Sequence, residues 1–214
     1  RLGAALAAVD DADALARRIG AVNTVIVGDD GKLTGTNTDG FGFLENLKEG
    51  APGWNPAAGP AVVLGAGGAA RAVVVALIDA GVPDIRLTNR TRDRAERMAR
   101  DLGGPVTVHD WDDRGSALAD ANLLVNTTTL GMTGKDPLAV SLDALPGAAL
   151  INDIVYAPLE AGLLAAARAR GNPVVDGLGM LLHQARPGFE AWFGTPPQVT
   201  PDLRAHILAH LGQG

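Results

Sequence analysis

The residues Gly65-Ala66-Gly67-Gly68-Ala69-Ala70 follow the apolar run 61–64 without a break, and a helix-forming run, 71–80, follows them in turn. A strand-length apolar run, a glycine turn and a helix start in that order suit the binding of a dinucleotide pyrophosphate. Gly65 permits the turn, and Gly67 lets the backbone approach a phosphate with no Cβ between them. Ala70 stands in the third place of G-x-G-x-x-G/A, where a small residue lets helix and strand pack closely. The helix start offers unpaired N–H groups and the positive end of its dipole to an anion. The same residues also suit a plain tight turn between a strand and a helix.

A second group of residues bears on which dinucleotide would bind. The run 84–88 reads as the next strand and ends in Asn89-Arg90-Thr91, with Arg94 one helical turn further on. An NAD site usually places a carboxylate here, about 20 residues beyond the glycines, to hold the ribose hydroxyls. A carboxylate would repel a 2′-phosphate, whereas a guanidinium accepts one through charge-assisted, bidentate bonds. The alternative is a solvated helix start, but cations sit poorly at a helix N-terminus unless an anion neutralises them. The cofactor expected from these residues is NADP(H), with Arg71, Arg90 and Arg94 as sources of local positive charge.

Four further polar residues have side chains able to act on a hydroxylated substrate. Asp39, in Asn37-Thr38-Asp39-Gly40, is a carboxylate suited to acid–base work or to capping the helix that follows. The Asn23 amide both donates and accepts, as recognition of vicinal hydroxyls requires, and also suits a turn. Gln184 lies among Met180, Leu181, Leu182, Ala185 and Phe189, where it either faces inward with a partner or lies on the surface. Tyr156 is the only tyrosine and precedes Ala157-Pro158 at a strand end. That is the ligand edge of an α/β sheet, though a packing role also fits. His206 and His210 are four apart on a terminal helix with no obvious third metal ligand, and read as a solvated face. His109 and His183 suggest surface or packing roles.

The elements that must position these residues follow from the hydrophobic pattern. Residues 1–19 are Ala-rich and helix-forming, with a break near Asp10-Asp11. Residues 22–27 form a β-branched strand, and Gly28-Asp29-Asp30-Gly31 turns it toward a short partner around Leu33. A helix with Phe41, Leu44 and Leu47 on one face leads to a Pro/Gly-rich linker at 50–59. Strands are then expected at 61–64, 84–88, 105–108, 122–126, 149–153 and 173–175, with helices at 68–80, 91–102 and 158–170 between them. That alternation implies a parallel sheet covered on both faces. Two more helices are expected at 179–193 and 200–211.

Composition bounds the function. The chain has 214 residues, 47% of them hydrophobic, enough for a substantial core. With no cysteine it has no disulfide, thiolate nucleophile or cysteine metal site. Its net charge of −6 argues against general nucleic-acid binding. No apolar run approaches membrane-span length and no signal-peptide pattern appears, so no membrane partner is expected and a cytoplasmic place is.

Taken in order, several of these segments resemble the shikimate dehydrogenase family. They are Gly20-Ala21-Val22-Asn23-Thr24, Asn37-Thr38-Asp39-Gly40, the Gly65–Ala69 loop, Asn89-Arg90-Thr91 and Asn126-Thr127-Thr128 with Gly131-Met132. Asp153 with Tyr156 and Pro158, and Asp176-Gly177-Leu178-Gly179-Met180-Leu181 with Gln184, continue the series. The resemblance covers nearly the whole chain. It implies NADPH-dependent reduction of 3-dehydroshikimate to shikimate, with Asp39 in a Lys–Asp catalytic pair and Asn23, Asp39, Tyr156 and Gln184 on the substrate. It also implies a cofactor lining of Gly65, Ala66, Gly67, Gly68, Ala69, Asn89, Arg90, Thr91, Arg94, Thr127, Ile154 and Gly177. Thr127–Met132 forms a loop beside the cofactor. Ile154 and Gly177 fall where the family approaches the nicotinamide, and both also read as plain core and turn residues. The family's Ser-x-Ser pair and its Val-Thr-x-Pro-x-Lys segment are not in this sequence. The chain opens on Arg1 rather than Met, and the spacing to Asn23 places that opening just after the family's lysine.

The expected architecture is α/β: a doubly wound, parallel Rossmann-type sheet with a partial α/β substrate-binding domain. Its segments are a partial substrate domain (1–38), a connecting helix and linker (39–59), an NADP domain (60–177) and C-terminal helices returning to the substrate domain (178–214). A monomer or homodimer acting on a small molecule is expected. Alternatives are a quinate/shikimate dehydrogenase, a regulatory Rossmann module that binds nucleotide without catalysis, and a chain like glutamyl-tRNA reductase. The last requires a thiol nucleophile, which this sequence lacks, and a nucleotide sensor has no need of a polyol pocket.

Overall fold

The computed structural model describes residues 2–211. Arg1 and residues 212–214, the outer ends of the first and last expected segments, lie outside the described residues.

Six strands, β4 (Ala61–Leu64), β5 (Ile85–Thr88), β6 (Val106–His109), β7 (Leu123–Asn126), β8 (Leu150–Asp153) and β9 (Val174–Val175), form one parallel sheet in the order β6-β5-β4-β7-β8-β9. This is the doubly wound order, with its reversal between β4 and β7. The alternation of side chains along β4 explains the two covering layers. Ala61 and Val63 pack with Val73, Val74 and Leu77 of α4 (Gly68–Asp79) on one face. Val62 and Leu64 pack with Leu163, Leu164 and Ala167 of α6 (Gly162–Ala169) on the other. Between β5 and β6, α5 (Arg92–Leu102) buries Ala95, Met98 and Leu102. Leu64 pairs with both Thr88 and Asn126, and Asn126 pairs with Asp153. The central strands therefore stop on one rung, and the loops that follow leave at a common level.

A smaller sheet has the order β1-β3-β2, from β1 (Asp11–Ala12), β2 (Thr24–Val27) and β3 (Leu33–Thr36). The β2–β3 pair is antiparallel across the expected Gly28–Gly31 turn, and β1 runs parallel to β3. Joining the two sheets is α3 (Asp39–Gly50), which packs along α7 (Leu178–Phe193). The helices meet closely at Gly42, where a Cβ would lie 2.7 Å from the Gln184 Cβ and from the Met180 carbonyl oxygen. α7 also touches β2 of the small sheet, and α8 (Pro201–His210) follows it.

Most strands and helices begin within one or two residues of the pattern, and three differences have a local cause. The break inside 1–19 is itself a strand: β1 separates α1 (Leu2–Ala8) from α2 (Ala14–Ile19), whose start is capped by Asp13 accepting from Ala16 N at 2.6 Å. The strand expected at 105–108 runs Val106–His109, because Pro105 has no N–H and contributes only its carbonyl, to Ile85 N at 2.7 Å. The helix expected from 158 begins at Gly162. Residues 157–161 instead follow the loop after β7, where Thr133 N donates to the Ala157 carbonyl at 2.8 Å. Among the described residues, no helix is long and apolar enough to cross a membrane.

Candidate active site

The edge at which the strands stop together carries two neighbouring cavities. The first, about 270 Å³, is a groove lined by Gly65, Ala66, Gly67, Asn89, Arg90, Arg94, Trp111 and the residues 127–130. Gly65 adopts φ +107°, and a Cβ there would come within 2.8 Å of Thr127 Oγ1, so conformation and space both demand glycine. Thr127 is locked behind it, its Oγ1 donating to the Leu64 carbonyl at 2.7 Å. Asn89 ties the loop to the next strand: its Oδ1 accepts from Ala66 N at 3.2 Å and its Nδ2 donates to the Thr91 carbonyl at 2.8 Å.

The groove is built for an anion. No side chain caps α4 at Gly67, and no acidic residue lies in its first turn, so its leading N–H groups face outward. Arg90 and Arg94 are exposed and make no ion pair among the described residues, although Arg92 between them is paired with Glu96 and Asp110. Two unneutralised guanidinium groups at a helix start, with no carboxylate at the strand end, fit a dinucleotide carrying a 2′-phosphate. Arg71, the third expected cation, is committed elsewhere. Its Nε donates to the Ile19 carbonyl at 2.6 Å, and its charge meets Asp101 at 3.0 Å.

The second cavity, about 160 Å³, is a cleft lined by Asp39, Ala69, Ile154, Tyr156, Gly177, Met180, Leu181 and Gln184. Asp39 is the first residue of α3 and Thr38 occupies the cap position, which resolves the capping alternative against Asp39. The Asp39 Oδ1 accepts from Asn23 Nδ2 at 2.7 Å. Burial lifts the carboxyl above its ordinary value, and the Asn23 and Asn37 side chains pull it partly back. The Asn23 Oδ1 accepts from Thr38 N at 3.0 Å, Thr38 Oγ1 at 3.3 Å and Thr24 Oγ1 at 3.1 Å. Its amide is thus fixed from behind, leaving one Nδ2 hydrogen for a ligand. The close crossing at Gly42 brings Gln184 into the same cleft as Asp39.

The fold therefore gathers Gly65, Ala66, Gly67, Asn89, Arg90, Arg94 and Thr127 in the groove, and Asp39, Ala69, Ile154, Tyr156, Gly177 and Gln184 in the cleft. Asn23 is exposed and bonded to Asp39, beside the cleft rather than in its lining. Gly68 lines an adjoining depression with Arg71 and Arg97, and Thr91 holds the cap position of α5. The sequence reading gave no role to Trp111, which lines the groove with Arg114 stacked 4.6 Å from its ring, or to Met180 and Leu181 in the cleft. For Trp111 the available signal was its place just beyond β6, at the same sheet edge as the other loops. His183, expected at the surface or in packing, is buried and bonds Glu49 at 2.7 Å. His206 and His210 stack on each other with ring centroids 4.4 Å apart.

Residues 55–132 match the family described as Shikimate / quinate 5-dehydrogenase, and residues 177–205 match the Shikimate 5'-dehydrogenase C-terminal domain. A Shikimate dehydrogenase (NADP(+)) of Paramagnetospirillum magneticum is 65% identical over 201 residues, 94% of this chain and 73% of its own length. A second, from Rhodospirillum rubrum, is 57% identical over 95% of this chain and 74% of its own. Among solved structures, the shikimate 5-dehydrogenase of Thermus thermophilus in complex with NADP(H) and shikimate superposes with a TM-score of 0.83 at 38% identity, covering 98% of this chain and 75% of that one. The quinate dehydrogenase of Corynebacterium glutamicum in complex with NAD gives 0.89 at 33% identity, over 97% of this chain and 74% of that one.

Proposed function

The chain belongs to the shikimate dehydrogenase family, and from that premise we propose how its residues divide the work of reducing 3-dehydroshikimate to shikimate with NADPH. The reaction is a reversible hydride transfer in aromatic amino-acid biosynthesis, and the cofactor is NADP(H). What carries the residue assignment is the adjacency of groove and cleft across one loop: Ala66 and Gly67 line the first, and Ala69 the second.

In this reading the start of α4 holds the pyrophosphate, Asn89 shapes the loop, and Arg90 and Arg94 take the 2′-phosphate. Ile154 and Gly177 border the nicotinamide end. Bound NADPH supplies the hydride that reaches the C3 carbonyl. The residues of the cleft manage the rest. Asp39, fixed by Asn23, accepts from a substrate hydroxyl and orients the group that delivers the proton to the forming alkoxide. Gln184 and the remaining Asn23 amide hydrogen bond the other ring hydroxyls, and Tyr156 borders the pocket. The ammonium partner implied for Asp39 is not one of this chain's lysines as placed: Lys32 pairs with Asp30, Lys48 with Glu45, and Lys135 lines a different cavity. A cytoplasmic place, supported by dependence on the cell's NADPH, and a monomeric or homodimeric state complete the reading.

The test is NADP⁺ reduction with shikimate and with quinate as alternative substrates. A higher kcat/KM for shikimate supports the assignment. Equal or better use of quinate would move it to a quinate/shikimate dehydrogenase, and NADP⁺ binding with no turnover in any active-length protein would favour a nucleotide-binding module.

A further inference from the structure

Asp153 stands at the end of β8, fully buried, and none of the site roles above uses it. Its Oδ1 accepts two bonds that point to different loops. Val155 N, at 3.0 Å, belongs to the segment that carries Ile154 and Tyr156 into the cleft. Asn126 Nδ2, at 2.9 Å, belongs to the neighbouring strand end. The Asn126 Oδ1 then accepts from Thr128 N at 3.0 Å and from Thr128 Oγ1 at 2.8 Å, and Thr128 Oγ1 accepts from Leu130 N at 3.1 Å. Thr128 and Leu130 line the dinucleotide groove.

We propose that Asp153 is a positioning residue for the dinucleotide: through Asn126, one buried carboxylate oxygen sets the loop lining the groove and the loop entering the cleft in register with each other. The inference rests on the dinucleotide reading of the groove.

A residue kept for stability alone would not have this environment. Among the described residues, the second oxygen, Oδ2, is buried with no hydrogen-bond partner and no cation forms an ion pair with Asp153. Leaving a charged group half satisfied in the interior costs stability. The gain is at Oδ1, because an ionised acceptor binds two N–H donors about twice as strongly as a neutral one. Burial lifts this carboxyl to about 6, with the bonds from Val155 and Asn126 opposing the rise. The charged groups around it are few. Lys135 and Glu160 line the adjoining cavity, Glu160 is paired with Arg168, and Asp136 and Tyr156 lie on the two loops. Both loops should thus be held more firmly above pH about 6 than below it.

The experiment measures NADP⁺ affinity by titration calorimetry from pH ~5 to ~8, for the wild-type chain and for Asp153→Asn. The amide keeps an acceptor at Oδ1 but never ionises. The cofactor's 2′-phosphate titrates in the same range, so the variant's profile is the baseline and the difference between the two proteins is the readout. The expected result is similar affinity near pH 5 and wild-type binding about tenfold tighter near pH 8. Over the same rise in pH, the wild type should lose folding stability relative to the variant. These opposite signs separate positioning from a merely structural role, in which affinity and stability fall together. Parallel affinity profiles, or a joint fall of affinity and stability, would overturn the inference. Absence of NADP⁺ binding by the folded wild type would instead overturn the reading of the groove, and this inference with it. If the variant does not fold, amide exchange in the wild type decides the matter. Thr128 and Val155, corrected for intrinsic rates, should exchange faster below pH about 6, and unchanged protection would refute the proposal.

Discussion

Asn23 Nδ2 meets Asp39 Oδ1 at 2.7 Å, joining the start of β2 to the first residue of α3. Because the same asparagine is held from behind by Thr24 of β2 and by Thr38 at the cap of α3, the carboxylate is oriented jointly by the small sheet and by the start of its own helix. In protein that turns over shikimate, Asp39→Asn is therefore expected to lower kcat by about 10²-fold. Its melting temperature should change little, since Thr38 occupies the cap position. Steady-state kinetics beside a thermal melt checks this, and a stable variant with near-normal kcat would remove Asp39 from the chemistry.

Arg90 and Arg94 are the exposed cations of the groove that form no ion pair among the described residues. Replacing either by Ala should cost NADP(H) about 1.5–3 kcal/mol, or roughly ten- to a hundredfold in affinity, while NADH binding changes far less. Calorimetric titration of each variant with both cofactors measures the contrast. Equal losses for the two cofactors would mean that the guanidinium groups do not touch the 2′-phosphate.

The buried Asp153 gives a pH dependence whose sign follows from burial. Burial pushes its carboxyl up to about 6 in the fold, against 3.8 for an exposed aspartate. Between these values the folded protein keeps a proton that the unfolded chain has lost, so stability falls as pH rises through the window. Relative to wild type, Asp153→Asn should gain up to roughly 3 kcal/mol between pH ~4 and ~7. Denaturant unfolding of both proteins across that range tests it, and a constant difference would contradict the shift.

The 214-residue chain is expected to bind NADP(H) but to oxidise shikimate at least 100-fold more slowly than its relative from Paramagnetospirillum magneticum, the scale of lost acid–base assistance. The groove is formed within the chain, whereas no lysine of the chain pairs with Asp39. Comparable turnover by the purified chain would show that Asp39 works without an ammonium beside it.

The sheet that bears the groove was legible because its strands are short apolar runs separated by helical periods and glycine turns. The cofactor preference could be read because Asn89 and Arg90 stand at a fixed distance from Gly65 in sequence. β1 was not legible, since a two-residue strand has no period and exists only through its pairing with β3. The start of α6 was misread because Pro158 suits a first helical turn, while the contact that holds 157–161 in another path comes from Thr133. The tie between Asn126 and Asp153 spans 27 residues of sequence and follows from strand register alone. A pattern within either strand carries no trace of it.

Because the central strands stop on one rung, the site should tolerate a changed side chain better than a changed residue count. One residue inserted within 150–153 would carry Asp153 forward by about 3.3 Å and turn it to the opposite face of the sheet, away from Asn126. One residue inserted at the other edge, at 81–84, where Gly81 and Pro83 already turn the chain, would leave every rung in place. An insertion scan read by NADP⁺ binding should therefore divide the sheet crosswise, with lengthening lethal to the site at the carboxyl ends of the strands and harmless at their amino ends.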